Sequence, residues 1–230
     1  METEKNKEDK ITVDYVLDKM CNDCYIKETL KTIGSMYTTL DYAHSYIHFS
    51  DVLIYGYKTF CKIKEAEPDT DLDSQKLAII LAYHDLGRIM GIKNHAENSA
   101  VMLEHNSIIV HPKNYDYFTI AMMQEVIIEH NKDSVSSLYS AILKDSDKSY
   151  RLDINKYIGR IYYSRDYYFK GKDYNEIIPL IVNKIKNSHY DAKVVYNHNE
   201  FEKVNSICEN ITIEEVEKYL NIIISSTCKE

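Results

Sequence analysis

Apolar residues recur every three or four positions along most of the chain, and this spacing predicts an all-α protein. The 230 residues include only 6 Gly and 3 Pro, too few for many tight β-turns. A capping-box pattern, Thr212 followed by Glu215, predicts where the last helix begins. The predicted helices cover about 11–33, 39–61, 74–86, 95–104, 117–130, 134–144, 154–164, 175–185, 192–207 and 212–225.

The predicted helices are separated by short polar loops with recognisable start signals. The stretch 62–74 contains Glu-Pro-Asp-Thr-Asp and is predicted to be a loop, after which Asp73 or Ser74 caps the central helix. A second loop is expected at 105–114. Ser134 or Ser136 is expected to cap the helix predicted at 134–144. No repeat and no boundary signal divides the chain, so we expect one helical bundle.

The net charge of the chain and the length of its apolar runs argue against nucleic-acid and membrane partners. The formal net charge is −8 and the acidic residues are spread along the chain, which makes duplex DNA or RNA a poor partner. The longest apolar runs, such as Ile222–Ile224, are far too short to cross a membrane, and the N-terminus has no signal-peptide core. We therefore expect a cytoplasmic protein that acts on a small molecule, with homo-oligomerisation left open.

The five cysteines do not form a metal-binding or disulfide pattern. Cys21 and Cys24 have the spacing of half a zinc site, but no second pair of this spacing follows. We expect both cysteines to lie on one helix.

The most informative stretch is the apolar run that ends in His84-Asp85, just before Gly87. A buried carboxylate beside an imidazole is costly unless it is paired, and a divalent cation can bind both groups. Three further segments place a metal-type residue beside an apolar helical face: His48, His130 and Asp147. Four helices could therefore converge on one metal ion.

The order His48, His84-Asp85, Asp147 along the chain resembles the signature of the HD-domain superfamily of metal-dependent phosphohydrolases, which is a histidine, a His-Asp pair and a distal aspartate. His95-Ala-Glu-Asn-Ser-Ala100 resembles the family segment His-x-x-x-Ser-Ala, and Ala141-Ile-Leu-Lys-Asp-Ser-Asp-Lys148 is similar to Lys-Ile-Leu-x-Asp-Ala-Asp-Arg. Ile158-Gly-Arg160 is similar to the small bacterial branch that includes nucleotide pyrophosphohydrolases. The resemblance covers about 41–165. It implies an N-terminal helical segment (1–38), an HD-like metal-binding core (39–165) and a C-terminal helical extension packed on the core (166–230).

The resemblance also implies the metal ligands and the activity. The core ligands would be His48, His84, Asp85 and Asp147, which suit Mn, Fe, Co, Ni or Zn. Binuclear members add two histidines, and His95 and His130 occupy that order, with His105 as a rival to His95. We expect one ion bound by the core four, with His95 and His130 lining the phosphate pocket.

A metal-activated water would then attack a nucleotide or another small phosphate ester or anhydride. Asp85 could accept a hydrogen bond from that water, and Arg88, Lys144 and Lys148 could stabilise charge on the phosphoryl oxygens, although each could equally be a solvated surface charge. The family arginine after the distal aspartate is Lys148 here, and the second aspartate is Tyr150. An arginine common three residues after the first histidine is Asp51.

Alternatives remain at two ligand positions and at the level of function. His44 shares a helix face with His48, and Asp145 lies two residues before Asp147. Asp145 could instead cap a helix or accept a hydrogen bond from a ligand. The functional alternatives are a di-iron oxygenase of the same family and a non-catalytic nucleotide-binding regulatory module.

Overall fold

The computed structural model describes residues 11–111 and 113–227, and within these ranges the chain is helical with no strand. The predicted all-α helical bundle is confirmed. The α-helices are α1 Val13–Met20, α2 Cys24–Met36, α3 Tyr46–Ala66, α4 Ser74–Tyr83, α5 His95–Glu104, α6 Tyr117–Glu129, α7 Leu138–Asp147, α8 Ile154–Tyr163, α9 Arg165–Tyr168, α10 Tyr174–Lys186, α11 His198–Asn210 and α12 Ile213–Thr227. Short 3-10 helices occupy Tyr37–Thr39, Tyr42–His44, Leu86–Met90, Ser149–Leu152 and Val195–Asn197. Pro112, within the second predicted loop, lies outside the described residues.

The first predicted helix is two helices, because the chain breaks at residues 21–23. The Asp23 side chain caps α2 by accepting hydrogen bonds from two backbone N–H groups of its first turn. The Gln75 side chain accepts hydrogen bonds from two N–H groups of the break at 3.0 Å each. Cys21 lies in the break and Cys24 opens α2, so the prediction of one helix carrying both was wrong. Gly34 lies inside α2 rather than after it.

The bounds of α3 and α7 also differ from prediction. The second predicted helix begins later, at Tyr46, and runs into the predicted loop as far as Ala66. Asp73 caps α4, as expected, by accepting a hydrogen bond from the backbone N–H of Lys76. The cap of α7 is Ser137, not Ser134 or Ser136, and the helix continues to its last residue at position 147. The Thr212–Glu215 capping box is present, with both reciprocal hydrogen bonds formed.

The apolar side chains form two cores. The first core joins α1 to α7 around α4, whose residues 77–83 are all buried, and α3 packs against both α4 and α7. The second core joins α8, α10, α11 and α12 through Ile158, Ile181 and Leu220. α8 was placed in the predicted segment 39–165, yet its apolar face belongs to the second core. Within the described ranges, no helix combines the length and apolar character required to cross a bilayer.

Asp145, buried near the end of α7, fixes the chain that leads into α11. Its carboxylate accepts hydrogen bonds from the backbone N–H groups of Lys193 and Val194, at 2.7 and 2.9 Å. The Tyr190 hydroxyl and the Asn197 side-chain amide donate two more, each at 3.0 Å. A fully buried carboxylate with four donors is satisfied without a metal ion.

Gly87 allows the turn after the His84-Asp85 pair to lie directly against α5. A Cβ at position 87 would lie 2.2 Å from the backbone oxygen of His95 and 2.4 Å from the backbone nitrogen of Ser99. Both atoms belong to the main chain of α5, so neither can rotate away. Because glycine has no side chain, the two segments that carry His84 and His95 can approach each other this closely.

We predict that Gly87→Ala destabilises the protein by about 1–3 kcal/mol, because the added methyl forces two backbone segments apart. Urea unfolding measures the loss. Gly159→Ala is the matched control, because the nearest atom to its Cβ would be the Tyr42 hydroxyl at 3.3 Å and alanine is favoured inside a helix. Equal stability of Gly87→Ala and wild type would show that this contact is not tight.

Candidate metal centre

Five helix ends bring the predicted ligands to one buried place. His48 lies in the first turn of α3 and His95 opens α5. His84 and His130 are the C-terminal caps of α4 and α6, and Asp147 is the last residue of α7. Three of these ends are C-termini, where unpaired carbonyl groups favour a nearby cation.

The first ligand set is His48, His84, Asp85 and Asp147, all of them buried. The Nε2 atoms of His48 and His84 are 3.3 Å apart, and they lie 3.7 and 3.6 Å from Asp85 Oδ2. Asp147 Oδ1 lies 3.3 Å from His48 Nε2 and 3.9 Å from His84 Nε2. Two ligands about 2.1 Å from a tetrahedral ion are about 3.4 Å apart. This cluster could hold a metal ion.

The second ligand set lies on the other side of the Asp85 carboxylate. Asp85 Oδ1 is 3.2 Å from His95 Nε2 and 3.7 Å from His130 Nε2, and these three residues form a separate metal-compatible group. This oxygen is buried and has no hydrogen-bond donor, although the Arg88 guanidinium lies 2.9 Å away. Asp85 therefore presents one oxygen to each ligand set.

Backbone carbonyl groups orient three of the four histidines as metal ligands. The Nδ1 atoms of His84, His95 and His130 lie 2.9, 3.1 and 2.5 Å from carbonyl oxygens three residues earlier in the chain. A carbonyl can only accept, so each Nδ1 carries a proton, and in the neutral ring Nε2 carries the lone pair. This is the tautomer that ligation through Nε2 requires. At His95 this lone pair accepts hydrogen bonds from Arg88 and Asn131, at 3.3 and 3.1 Å. At His130 the Asp85 carboxylate outweighs burial and raises the pKa of the ring.

His48 differs from the other three. Its Nδ1 lies 3.1 Å from a guanidinium nitrogen of Arg160, which reaches across from α8 and stacks on the Tyr150 ring. Arginine can only donate, so here Nδ1 accepts and Nε2 carries the proton, directed at Asp147. Ligation through Nε2 would require His48 to move this proton to Nδ1 and Arg160 to turn away.

Two hydroxyl groups hold the His84-Asp85 pair in place. The buried Tyr37 hydroxyl donates to the Ala82 carbonyl at 2.9 Å and accepts from the Asp85 N–H at 3.3 Å. The Ser99 hydroxyl accepts from the Gly87 N–H at 2.8 Å and donates to the His84 carbonyl at 3.1 Å. The Ser99 contact gives a physical role to the serine of the predicted His-x-x-x-Ser-Ala segment. Nothing in the sequence pattern indicated Tyr37.

The carboxylates stay ionised despite their burial. Burial opposes the charge of Asp85 and Asp147, yet neighbouring groups outweigh burial and hold the pKa of each carboxyl well below its usual value. For Asp147 the largest of these contributions is the Lys148 ammonium, 2.6 Å away. Burial lowers the pKa of His48 to about 3, and the Arg160 guanidinium acts in the same direction.

The three predicted substrate cations have different surroundings. Arg88 stays at the centre, beside Asp85 and His95. Lys148 is half-exposed and paired with Asp147. Lys144 instead directs its buried ammonium at the carbonyl groups of residues 129, 130 and 132, at the end of α6. Its ammonium is directed at these groups and not at the ligand cluster, so this structure gives no support to the prediction that Lys144 contacts a phosphoryl group.

The rival ligands lie outside the cluster. His44 forms a 2.8 Å contact with Asp41 and belongs to neither ligand set. His105 is exposed at the end of α5. Asp145 faces the chain that leads into α11 rather than the histidines.

The departures from the HD pattern place new side chains around His48. Asp51, where an arginine was expected, pairs through both oxygens with the Lys156 ammonium at 2.8 Å. Tyr150, where a second aspartate was expected, lies 6.4 Å from the His48 ring, measured between ring centroids. α8 thus supplies two cations, Lys156 and Arg160, to this side of the centre. Sequence spacing alone could not place them there.

A cleft of about 500 Å³ opens beside the second ligand set. Arg88 and His95, which both contact Asp85, line the cleft together with Ile92. The other lining residues share polar or aromatic character: Asp41, His44, Tyr163, Ser164, Asp166, Tyr167 and Tyr168. A larger hollow of about 570 Å³ between α5 and α6 contains none of the cluster residues. The cleft is therefore the place where a small molecule could reach the centre.

We predict that the free energy of unfolding of the metal-free protein falls as the pH drops below 6.5. Unfolded His48 binds a proton near pH 6.5, whereas folded His48 does not until about pH 3. His48 alone therefore removes about 2 kcal/mol of the free energy of unfolding between pH 6.5 and pH 5. The lowered pKa values of Asp85 and Asp147 act in the same direction at lower pH, since they stabilise the fold only while the carboxyls stay ionised. Burial lowers the pKa of His84, which adds to this loss, whereas the pKa of His130, raised by Asp85, opposes it.

Urea unfolding in the presence of a chelator, between pH 7 and pH 5, measures this slope. His48→Gln should flatten it relative to wild type, and the exposed control His105→Gln should leave it unchanged. An equal slope in wild type and His48→Gln would contradict the assignment of this proton uptake to His48.

We predict that Arg160→Gln tightens metal binding about tenfold, because the glutamine oxygen can accept a hydrogen bond from His48 Nδ1–H where arginine cannot. Calorimetric titration with Mn²⁺ or Zn²⁺ gives the dissociation constants. An unchanged or weaker affinity would show that Arg160 does not compete with ligation by His48.

Comparison of the chain with protein-family models, with curated proteins and with solved structures found no match. The helical bundle and its buried His/Asp cluster, which could bind metal, are compatible with an HD-like fold.

Proposed function

We propose that this protein is a metal-dependent phosphohydrolase of the HD type that acts on a nucleotide or another small phosphate compound. The observation that carries the proposal is the Asp85 carboxylate, which directs one oxygen at each of two imidazole-containing ligand sets. An anion buried among imidazoles, with one oxygen lacking a donor, has the chemistry of a group that awaits a cation.

The donor set supports a divalent transition metal. Imidazole nitrogen and carboxylate oxygen together suit Mn²⁺, Fe²⁺, Co²⁺, Ni²⁺ or Zn²⁺ and are poor ligands for a soft ion. When bound, such an ion supplies Lewis-acid activation of water near neutral pH. His48, His84, Asp85 and Asp147 would hold it.

We further propose two ions rather than the single ion expected from the sequence. His95 and His130 have the same Nδ1 anchoring as His84, which leaves their Nε2 lone pairs directed at Asp85 Oδ1. A role limited to lining a phosphate pocket would not need this tautomer. Asp85 would then be shared between the two ions, one at each oxygen.

Cations around the cluster would orient and stabilise the phosphoryl group. Arg88 lines the cleft, and Lys148 and Arg160 flank Asp147 and His48. Charge that develops on phosphoryl oxygens is stabilised most by cations that are already in place. Ligation by His48 would require Arg160 to leave its Nδ1 and would make this guanidinium available to the substrate.

A di-iron oxygenase is the second candidate, because the same six side chains could bind two iron ions. The two functions differ in what they consume. A hydrolase releases phosphate without O₂, whereas an oxygenase consumes O₂ and requires iron. A non-catalytic binding module would bind nucleotides without turnover under any metal.

We predict that the metal-loaded protein hydrolyses phosphate compounds and that Asp85→Asn lowers kcat/KM at least 100-fold, because both ligand sets lose the shared carboxylate. Elemental analysis should find about two ions per wild-type chain and fewer in the variant. A screen of nucleotides and generic phosphoesters across Mn²⁺, Co²⁺, Ni²⁺ and Zn²⁺, with phosphate release as the readout, measures the activity.

His105→Ala is the matched control, since this exposed histidine touches neither ligand set, and it should retain metal content and activity. Circular dichroism shows whether each variant is folded. Full activity in a folded Asp85→Asn protein would refute the proposed function.

A further inference from the structure

The cleft beside the centre is lined by charges of both signs. Arg88 Nε and His95 Nε2 lie 2.9 and 3.2 Å from Asp85 Oδ1, so the cleft reaches the second ligand set. Two carboxylates that belong to neither ligand set, Asp41 and Asp166, also line the cleft. Among the residues described as lining the cleft, Arg88 is the one permanent cation.

Tyrosine rings form much of the remaining wall of the cleft. Tyr167 is largely exposed, and Tyr163 packs on Tyr42 with 4.2 Å between ring centroids. Tyr168 is already covered from the α10 side by the Lys184 ammonium, 4.0 Å from its ring centroid. Aromatic faces beside carboxylates attract ammonium groups and amino groups, and they offer no compensation to a second anion.

The charges that line the cleft affect which leaving group the substrate can carry. A phosphoryl group bound at the second ligand set would meet Arg88 and the bound cations, whereas a leaving group that extends into the cleft would lie among Asp41, Asp166 and the tyrosines. A leaving group that carries further phosphates would bring its negative charges close to the carboxylates of Asp41 and Asp166. This repulsion would weaken the binding of such a substrate.

We propose that the substrate is a phosphate monoester whose leaving group is neutral or positively charged, and not a di- or triphosphate. This inference rests on the proposed function and narrows its substrate class. In the reaction a P–O bond to water forms and the ester P–O bond breaks. The alcohol leaves with one proton, and inorganic phosphate is the other product.

Two matched pairs of probes test the inference on the metal-loaded full chain. O-phosphoethanolamine and phosphoglycolate are of similar size but end in an ammonium and a carboxylate. AMP and ATP share a nucleoside and differ in phosphate number. Binding is measured by calorimetry and turnover by phosphate release. We expect wild type to prefer the first member of each pair by about tenfold or more in affinity.

The double variant Asp41→Asn/Asp166→Asn decides whether the cleft carboxylates cause the preference. Asparagine can keep the contacts that Asp41 makes with the His44 backbone and ring, and Asp166 is exposed, so folding should be preserved. Asp69→Asn is the control, because Asp69 is exposed beyond the far end of α3, about 27 Å from His48 along the helix. An added carboxylate or phosphate can also contact the metal ions, so the deciding quantity is the change of each affinity ratio between wild type and variant.

The inference predicts that both ratios fall about tenfold in the double variant and stay unchanged in Asp69→Asn. Unchanged ratios in the double variant, or equal use of ATP and AMP by wild type, would overturn the inference and leave the hydrolase proposal standing. The expected preference in binding without any turnover would overturn the hydrolase proposal, and the inference would then stand only as a binding preference of the cleft. Failure of all four probes to bind would overturn both.

Discussion

The structure depends on one carboxylate that is buried where a carboxylate is costly. Asp85 is 2 % exposed, and the atoms around it are mainly imidazole nitrogens. Removing a charge from water is repaid only by close opposite charges or by hydrogen-bond donors. The Tyr37 hydroxyl holds the Asp85 backbone and Arg88 offsets part of its charge, yet Oδ1 still lacks a hydrogen bond. A cation on each side of the carboxylate would complete its surroundings, and this is the physical reason for a metal centre.

The helices place ligands at this point because each ligand lies at or near a helix end. A residue at the end of a helix can direct its side chain across the neighbouring termini, whereas a residue in the middle faces one flank. Buried polar contacts then fix the ends relative to each other. Lys144 ties the end of α6 to α7, and Ser99 ties α5 to the turn after α4. Asp145 ties α7 to the chain before α11. α8, which belongs to the second core, reaches back to the centre through Arg160.

The sequence predicted the helical class and the ligand cluster because both depend on local pattern and on motif order. It did not predict the break at Asp23, since apolar spacing continues through it and only the Asp23 cap and the Gln75 contact interrupt the helix. It did not predict that Lys144 turns toward the end of α6, because proximity to Asp147 in sequence does not reveal the direction of a side chain. The contact between Arg160 and His48 joins residues 112 positions apart, and no local signal encodes it. The proposal of a second ion rests on histidine tautomers, which the backbone carbonyl groups set only in the folded chain.

The most direct test of the metal centre is anomalous X-ray diffraction from crystals of the protein grown with Mn²⁺. The two-ion account predicts two anomalous peaks about 3.5–4 Å apart. One should lie within bonding distance of His48, His84, Asp85 and Asp147, and the other within bonding distance of Asp85, His95 and His130. A single peak shared by His84 and Asp85 would reduce the centre to one ion. The absence of any peak within bonding distance of Asp85 would contradict the account.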